Sequence, residues 1–299
     1  MMIAPIINAM SVDVEDYYQV SAFENRISRS DWHSHESRVQ ANVDRILTLF
    51  DQYGVKGTFF TLGCLADQYP NMVKRIVDQG HELASHGWDH RRVTNLTPEE
   101  FRQDINRSKA LLEDISGLPV KGYRAPSYSI GESNLWALDI LADEGYLYSS
   151  SIVPIKHDHY GMPNASRFSH RVADGRLLEV PITTTSILNR NINCGGGGWF
   201  RLFPYGFSKW ALSKVNMQEN EPCIFYFHPW EIDPSQPVID NVSARTRFRH
   251  YLNLKRMYGR LDSLLNDFKW GRMDDVFLGR GYEIDSADHV ALSKIEAAI

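Results

Sequence analysis

The sequence predicts an α/β fold in which parallel strands form a barrel and helices lie outside it. Segments with strand composition alternate with segments of helical periodicity along most of the chain. Roughly seven such strand–helix units follow one another, which favours a barrel over an open sheet. After Pro237 the alternation gives way to a charged helical stretch.

The first part of the chain alternates two strands with two helices. Gly54 is a stop signal for the first helix, whose apolar residues recur at helical spacing. Pro70 near the start and Gly80 past the end bound the second helix. The predicted elements are a strand at 6–14, a helix from Val39 to Phe50, a strand at 57–63 and a helix at 70–80.

The middle of the chain continues the same alternation. Thr97, Pro98 and Glu100 form a capping box with proline at the first helical position, and this helix runs to Gly117. Gly145 closes the next helix. The predicted elements are strands at 81–86, 121–127, 146–152 and 177–185, helices at 97–117, 133–145 and near 207–216, and a last strand at 223–229.

The C-terminal part is predicted to be a helix that packs on the barrel. Residues 243–268 are charged, and Leu261, Leu264, Leu265 and Phe268 share one helical face. About sixty residues would hold little core of their own. We therefore interpret residues 1–299 as one domain, with a core at about 8–235 and an extension at about 236–299.

Composition excludes several classes of function. The formal net charge is −5 and no basic tract occurs, so nucleic acid is not an expected partner. The three cysteines are far apart, which predicts buried apolar residues and not a disulfide framework. No apolar run is long enough to span a membrane, and the N-terminus resembles a strand and not a signal peptide. These features predict a cytoplasmic protein, and membrane association through a partner or a homo-oligomer is compatible with them.

Polar residues follow several predicted strands at the point where each strand ends. Carboxyl ends of parallel strands meet at one edge of the sheet, so these side chains should face one mouth. They come from four separate units, at Asp13, Glu15 and Asp16, at His86 and His90, at Arg124, and at His228.

These residue types point to metal-assisted hydrolysis. Two histidines and one carboxylate, His86 and His90 with an acid of the first strand, make a site that lets a metal activate water. Arg124 can orient a buried carboxylate and keep it ionised. His228 can donate a proton at neutral pH. The spacing leaves open which of the three acids is the ligand.

Two further motifs bear on ligands. The segment NCGGGGWF, residues 193–200, lacks the lysine and the strand–loop–helix context of a phosphate loop, and we interpret it as a flexible rim loop. Aromatic side chains near a polar mouth suit sugar rings. The candidates are Trp88, Tyr128, Trp199, Phe200 and Trp230, of which some are expected to be ordinary core.

In this order, the motifs SVDVED, His86–His90, RAPS and FHPWE resemble those of the polysaccharide deacetylases, carbohydrate esterase family 4 with the NodB homology domain. Within this family, the branch associated with exopolysaccharide and exosortase gene clusters is especially similar. The similarity lies in the segments HELASHGWDH, GYRAPSYS and YFHPWEID and in the tail from Arg247. The resemblance implies a distorted, incomplete (β/α) barrel. It also implies a divalent metal, usually zinc, and removal of N-acetyl, sometimes O-acetyl, groups from hexosamine polymers or glycolipids.

The resemblance also implies a role for each site residue. His86 and His90 are metal ligands, Asp13 is the general base and Arg124 orients it. His228 is the general acid that protonates the leaving amine. A backbone N–H after the RAP segment, that of Tyr128, would stabilise the oxyanion with the metal.

The chain departs from the family pattern at two positions. Val14 stands where relatives have a second aspartate, so the third ligand is Glu15, as in relatives with an Asp-x-Asp pattern, or Asp16. Ser149 stands where relatives have an aspartate in YDSS, which puts activity or its pH range in doubt.

The expected function is metal-dependent deacetylation of N-acetylated sugars in a bacterial polysaccharide or its lipid-linked precursor. The alternatives are a hydrolase of non-peptide C–N bonds in a small amide and a catalytically impaired carbohydrate-binding subunit.

Overall fold

The computed structural model describes residues 6–157 and 160–279. These residues form eleven β-strands. The strands are β1 Ile7–Val14, β2 Thr58–Thr61, β3 Glu82–Ser85, β4 Gly122–Tyr123, β5 Tyr148–Ser149, β6 His170–Val172, β7 Leu177–Glu179, β8 Thr184–Ile187, β9 Arg190–Asn193, β10 Ile224–Phe227 and β11 Lys269–Gly271.

The same residues form nine α-helices, with short 3₁₀ and π turns between them. The α-helices are α1 Val39–Gln52, α2 Gly63–Gln68, α3 Pro70–Asp78, α4 Pro98–Ser116, α5 Trp136–Asp143, α6 Gly197–Leu202, α7 Tyr205–Lys214, α8 Ala244–Tyr251 and α9 Leu254–Asp267.

The main sheet is mixed but mostly parallel, and it curls into an incomplete barrel. Its strands run in the order β10-β1-β2-β3-β4-β5-β7-β6, with β11 also paired to β1. Of these pairings, only β6 with β7 is antiparallel. The predicted α/β fold with an incomplete barrel is confirmed, and the parallel strands bring their carboxyl ends to one edge.

Side-chain alternation along β1 sends its residues to two different environments. Met10, Val12 and Val14 belong to a cluster with apolar residues of α1, α7 and α9 on the outside of the sheet. Ala9 packs in another cluster with Phe60 of β2. Because successive side chains of a strand point to opposite faces, Asp13 shares its face with Ala9 and Ser11.

Several helix boundaries follow the predicted signals. The Thr97 hydroxyl accepts from the Glu100 N–H over 3.2 Å, and the Glu100 carboxylate accepts from the Thr97 N–H over 2.8 Å. Gly117 ends α4 in the left-handed conformation, with φ at 67°. The capping box is therefore confirmed, and it satisfies two N–H groups at the start of α4.

The C-terminal part differs from the prediction. The strand at 223–229 is not the last, because β11 pairs in parallel with the start of β1. The helical stretch is broken at Asn253, whose left-handed φ of 56° separates α8 from α9. The run at 177–185 is divided between β7 and β8, which lie in different sheets. Residues 280–299 of the predicted extension lie outside the described residues.

The glycine-rich segment is packed and not a loose rim, so the interpretation as a flexible loop is wrong. Gly196 forms a parallel bridge with Tyr226 of β10. A Cβ on Gly196 would lie 1.9 Å from the Tyr226 carbonyl oxygen, and one on Gly197 would lie 2.5 Å from its hydroxyl. Glycine is required here because the backbone touches the neighbouring strand.

Within the described residues, no helix combines the length and the apolar composition that crossing a bilayer requires.

Candidate active site

A cavity of about 420 Å³ opens at the carboxyl ends of the parallel strands. Five of the predicted catalytic and metal-binding residues line it, namely Asp13, Glu15, His86, His90 and His228. Arg124 lies beneath the cavity and has no exposed surface. The four segments that were predicted to converge therefore do so.

Glu15, His86 and His90 form a compact group that could hold a divalent metal. One ligand atom from each residue lies within 4.8 Å of the others, and all three side chains are buried. Oε2 of Glu15 is 2.9 Å from Nε2 of His90. Yet Oε2 has no hydrogen bond within the described part of the chain. A buried carboxylate oxygen that faces an imidazole without hydrogen-bonding geometry fits two ligands aimed at a shared ion.

The protonation of His86 also fits a ligand. Its Nδ1 lies 2.8 Å from the carbonyl oxygen of Arg124, so this nitrogen carries the proton and donates. Nε2 is then left with a lone pair, as in many metal-binding histidines whose other nitrogen donates to a carbonyl. Burial lowers the pKa of His86 to about 4, which keeps the ring neutral.

The turn that carries both histidines is held by residues outside it. His90 adopts a left-handed φ of 58°. The carboxylate of Asp104 on α4 accepts from the Trp88 N–H over 3.0 Å. Arg29 donates to the carbonyl oxygens of Asp89 and His90. These contacts keep the second imidazole facing the first, and their ring centroids are 5.4 Å apart.

Asp13 and Arg124 form a fully buried ion pair beside this group. Nη1 of Arg124 donates to Oδ1 of Asp13 over 2.5 Å and to the Ser11 hydroxyl over 2.9 Å. Nε and Nη2 of the guanidinium donate to the carbonyl and hydroxyl oxygens of Ser150. The arginine thus links Asp13 on β1 to Ser150 directly after β5, and these contacts fix the direction of the Asp13 carboxylate.

His228, directly after β10, faces both Asp13 and Glu15 at the end of β1. Its Nε2 is 3.5 Å from Oε1 of Glu15 and 4.0 Å from Oδ2 of Asp13. Its Nδ1 lies 3.0 Å from Oε2 of Glu231. Burial opposes protonation, but Glu15, Glu231 and Asp13 outweigh it and raise the pKa of His228 to about 9. The His228 ring is therefore protonated at neutral pH and can act as a proton donor.

Glu231 is itself held ionised by a buried arginine. Nε of Arg201 donates to Oε1 of Glu231 over 2.6 Å. Burial opposes the charge of Glu231, but Arg201 and His228 lower its pKa to about 2. Arg201, Glu231 and His228 thus form a charge-assisted chain that ends in the cavity.

Trp230 connects the candidate acid to the candidate metal ligand. Its ring stacks on His228 with centroids 5.2 Å apart, and on His250 with centroids 4.2 Å apart. Its indole N–H donates to Oε1 of Glu15 over 3.2 Å. Burial opposes the charge of Glu15, but His90 and His228 lower its pKa to about 2.

Asp16, the alternative ligand, lies at a different place. Its Oδ2 accepts from the Ser37 hydroxyl and from the N–H groups of Arg38 and Val39. These donors belong to the start of α1, so Asp16 satisfies N–H groups that a helix leaves without partners. Of the two open alternatives, the structure brings Glu15 to the histidines and Asp16 to the helix.

The five aromatic candidates are distributed over four places, and one of them, Phe200, is buried in the apolar core. Tyr128 and Trp230 line the cavity, and Trp199 lines an adjacent one. Trp88 does not line either cavity. Its ring packs against Gly63 and under the guanidinium of Arg107, whose Cζ is 3.3 Å from the ring centroid. The structure therefore does not support Trp88 as a sugar contact.

The backbone donor predicted for the oxyanion is already in use. The Tyr128 N–H donates to the carbonyl oxygen of Ala125 over 3.0 Å. The expectation that this N–H serves an oxyanion is not supported by the structure. The Tyr128 hydroxyl, in contrast, is buried and without a hydrogen bond among the described residues.

Ser149, which departs from the family pattern, lies beneath the site. Its hydroxyl donates to the Ser151 hydroxyl over 2.8 Å, which in turn accepts from the Ala125 N–H. Glu179 is its register partner on β7 and is fully buried. Oε1 of Glu179 accepts from the N–H groups of Ser151 and Ile152. A carboxylate is therefore present here, but it comes from the neighbouring strand.

Sequence reasoning missed part of the cavity wall. Tyr226 could have been found, because it lies two residues before His228 on the same face of β10. The rest has no local signal, since it comes from the segments between strands and from α8. These residues include Val20, Ser21, Ala22, Glu24, Asn25, Arg92, Tyr160 and Arg249.

Part of the chain is similar to known deacetylases. Relatives include the peptidoglycan-N-acetylglucosamine deacetylase of Bacillus cereus, 35% identical over 96 residues that cover 32% of this chain and 35% of the relative. The peptidoglycan deacetylase of Helicobacter pylori is 29% identical over 114 residues, 38% of each chain. The matches thus span little more than a third of these relatives.

The fold has a counterpart among solved structures. A Mycobacterium smegmatis protein, provisionally described as a polysaccharide deacetylase, aligns over 97% of this chain and 96% of its own. The TM-score is 0.57 at 19% sequence identity, so this likeness supports the fold alone.

Two family models together cover most of the chain. Residues 150–278 match a domain of unknown function, DUF3473. His228 lies in that segment, while Asp13 and Glu15 precede both matches. Residues 32–148, which contain His86, His90 and Arg124, match the model of the polysaccharide deacetylases, so this part of the chain is similar to that family.

Proposed function

We propose that this protein is a metal-dependent hydrolase that removes N-acetyl groups from sugars of a bacterial polysaccharide or its lipid-linked precursor. One observation carries the proposal: a buried Glu15–His86–His90 group lies in the same cavity as an arginine-bound carboxylate, Asp13, and a histidine, His228. The family match and the activities named for the relatives support the reaction class.

His86, His90 and Glu15 would hold the metal. Two imidazoles and one carboxylate are a ligand set typical of catalytic zinc, which leaves one position open. The ion would supply Lewis acidity towards the acetyl carbonyl and towards water. The donation from His86 Nδ1 to the Arg124 carbonyl and from Trp230 to Glu15 would orient these ligands.

The protein's own residues handle the protons. Asp13 accepts a proton from the attacking water, because its ion pair with Arg124 fixes the direction of the carboxylate. His228 donates a proton to the departing nitrogen, since an amide nitrogen leaves poorly as an anion. Glu231 holds the His228 ring through Nδ1, so that Nε2 faces the cavity.

The test is acetate release from N-acetylglucosamine oligomers by zinc-loaded protein, compared with the Asp13→Asn variant. We expect release by the native protein and a loss of about 10²- to 10⁴-fold in the variant, the range for a general base. Asp51→Asn, which changes an exposed carboxylate on α1, is the matched control and should keep full activity.

Other outcomes identify the alternatives. Release of product from small amides but not from sugar oligomers would favour a hydrolase of non-peptide C–N bonds. Binding of oligomers to zinc-loaded protein without acetate release would favour an impaired carbohydrate-binding subunit. Either result would contradict the proposed deacetylation.

A further inference from the structure

Helix α8 borders the mouth of the candidate active site but takes no part in the proposed chemistry. Thr246 and Arg249, on one side of the helix, line the active-site cavity. Arg247 and Tyr251, on another side, line a separate cavity of about 570 Å³. The helix lies within the segment 150–278, whose family model has no assigned function.

The stretch from α8 to the start of α9 is cationic, although the net charge of the chain is −5. Residues 241–261 contain six Arg or Lys and no Asp or Glu. In sequence, apolar and neutral residues separate most of these cations. In the fold, Arg247, Lys255 and Arg256 are exposed and line the same cavity. Within the described part of the chain, none of these three forms an ion pair. Like charges brought together in this way favour an anionic partner.

Exposed apolar side chains lie next to these cations. Phe248 of α8 is 57% exposed, and Leu202, which lines one cavity together with Phe248, is 46% exposed. Val238 is 53% exposed at the cavity that holds the cations. The Ile239 N–H donates to the Tyr251 hydroxyl over 2.8 Å, which ties the segment of Val238 to α8. Apolar surface of this kind gains free energy when a partner removes it from water.

Cations and apolar groups together select the kind of partner. A neutral N-acetylated sugar offers no charge to the cations, and free phosphate offers no apolar group. Nucleic acid offers phosphates, but it gives exposed aliphatic side chains little to contact. A bilayer with anionic lipids offers both, because its charged headgroups lie directly above the acyl chains.

We propose that α8 and its neighbours dock the protein on an anionic membrane surface. The docking surface consists of Leu202, Val238, Arg247, Phe248, Lys255 and Arg256. The cations contact the headgroups, and the apolar side chains enter the boundary between headgroups and acyl chains. The mouth of the active-site cavity then lies beside the membrane, since α8 borders both. This favours the lipid-linked precursor as substrate, and only this last step rests on the proposed function.

Co-sedimentation with vesicles tests the docking. The vesicles contain either phosphatidylcholine alone or phosphatidylcholine with one quarter phosphatidylglycerol. The native protein should sediment with the anionic vesicles and not with the neutral ones, although its net charge is −5. Binding should weaken by more than tenfold between about 0.1 M and about 1 M salt, since the screening length falls from about 10 Å to about 3 Å.

Two triple variants of equal net charge locate the binding. Arg247→Gln, Lys255→Gln and Arg256→Gln together should lower the partition coefficient about 100-fold, at about fivefold for each cation near an anionic surface. The control neutralises three exposed cations elsewhere and should bind as the native protein does. It combines Lys74→Gln, Arg190→Gln and Lys269→Gln.

The apolar contribution is tested separately. Phe248→Ala should lower the partition coefficient about tenfold, because it removes a ring that the membrane would bury. Trp210→Ala is the control, since it removes a tryptophan that is 47% exposed on α7 and lines neither cavity beside α8. This variant should bind as the native protein does.

Absence of binding to anionic vesicles, or equal binding by the two triple variants, would overturn the docking. Binding of inorganic phosphate or of duplex DNA without vesicle binding would also overturn it and would indicate another class of partner. The proposed function fails separately. Vesicle binding by a protein that releases no acetate would overturn only the deacetylation, and acetate release without vesicle binding would overturn only the docking.

Discussion

The indole N–H of Trp230 donates to Oε1 of Glu15, while Oε2 of the same carboxylate faces His90. The two oxygens of one buried acid thus have different partners, one a hydrogen-bond donor and one an imidazole of the candidate metal group. We therefore expect Trp230 to position the candidate ligand Glu15, in addition to its proposed role as an aromatic face for sugar.

Trp230→Phe should weaken zinc binding without removing a ligand. The phenyl ring keeps the stack on His228 and His250, but Glu15 loses its donor. Loss of such a partner typically lowers metal affinity about 10- to 100-fold. A competition titration with a chromogenic chelator measures this change. Trp210→Phe is the control, and equal affinities in all three proteins would contradict the positioning role.

Substitution of a proposed metal-ligand histidine and of the proposed general-acid histidine should have different effects on metal content. His86→Ala should lose the metal, because it removes a ligand. His228→Ala should retain the metal and lose about 10²- to 10⁴-fold in kcat, the contribution of a general acid. Metal content by atomic emission, with acetate release on the same samples, measures both. Equal metal loss in the two variants would show that their roles are wrongly assigned.

Glu15→Gln and Asp16→Asn test the choice of ligand directly. Glu15→Gln should lose most of the bound zinc while the start of α1 stays intact. Asp16→Asn should retain zinc but lower the free energy of unfolding by about 1–3 kcal/mol, because the amide has one acceptor oxygen where the carboxylate has two. Either the N–H groups of Arg38 and Val39 or the N–H of Tyr17 then lose their acceptor. Zinc content and urea unfolding are measured on both. The reverse pattern would make Asp16 the ligand.

Ser149→Asp tests whether Glu179 already fills the place of the missing aspartate. The new carboxylate would face Glu179 across the β5–β7 pair, where both positions are fully buried. We expect a loss of about 3–5 kcal/mol in the free energy of unfolding, since one buried charge would be uncompensated. Ser149→Asp combined with Glu179→Gln should recover part of this loss. Urea unfolding that is unchanged in Ser149→Asp would show that Glu179 does not occupy this role.

His81 predicts a pH dependence of stability away from the active site. Its Nδ1 accepts from the Gly57 N–H, and the ring is 2% exposed. Burial, with Lys56 and Arg272, lowers the pKa of His81 from 6.5 to about 4. In the unfolded chain, His81 therefore takes up a proton below about pH 6.5, whereas in the folded protein it is protonated only near pH 4. This stabilisation is complete above pH 6.5 and is lost as the pH falls towards 4.

Urea unfolding of native protein and His81→Gln between pH 7 and 4 measures the effect. The native protein should lose up to about 3 kcal/mol more than the variant over this range. Gln is a suitable replacement because its side-chain oxygen can still accept from Gly57. His250 is also buried with a lowered pKa, and it contributes in both proteins. Parallel pH profiles would show that His81 is not the titrating group.

The sequence predicted the converging acids and histidines because strand ends of parallel sheets meet at one edge. Period-two alternation along β1 placed Asp13 and Glu15 together. The same alternation could have sent Asp16 outward to α1, but the helix start that needs it is more than twenty residues away and gives no local signal. The convergence is a property of topology, whereas each chemical role stays a prediction for the experiments above.

What could not be predicted depends on contacts between distant segments. The two short strands β4 and β5 have two residues each, too few for a periodic signal. β11 owes its place to pairing with β1 and not to its own composition. The packing of Gly196 on Tyr226 is visible only once β10 is beside it. Trp88 resembled a sugar contact because it lies between two site histidines, but a side chain within a turn can face away from its neighbours.

The central position of β1 has a consequence for synthesis of the protein. The Ser11 hydroxyl on β1 donates to the Phe225 carbonyl on β10, a partner 214 positions away. A nascent chain on the ribosome therefore exposes one edge of β1 until more than two thirds of the polypeptide has been translated. During that interval His228, which faces Asp13 and Glu15 in the folded protein, has not yet been synthesised. We therefore expect truncated products to lack deacetylase activity. We also expect them to aggregate through the unpaired edge of β1.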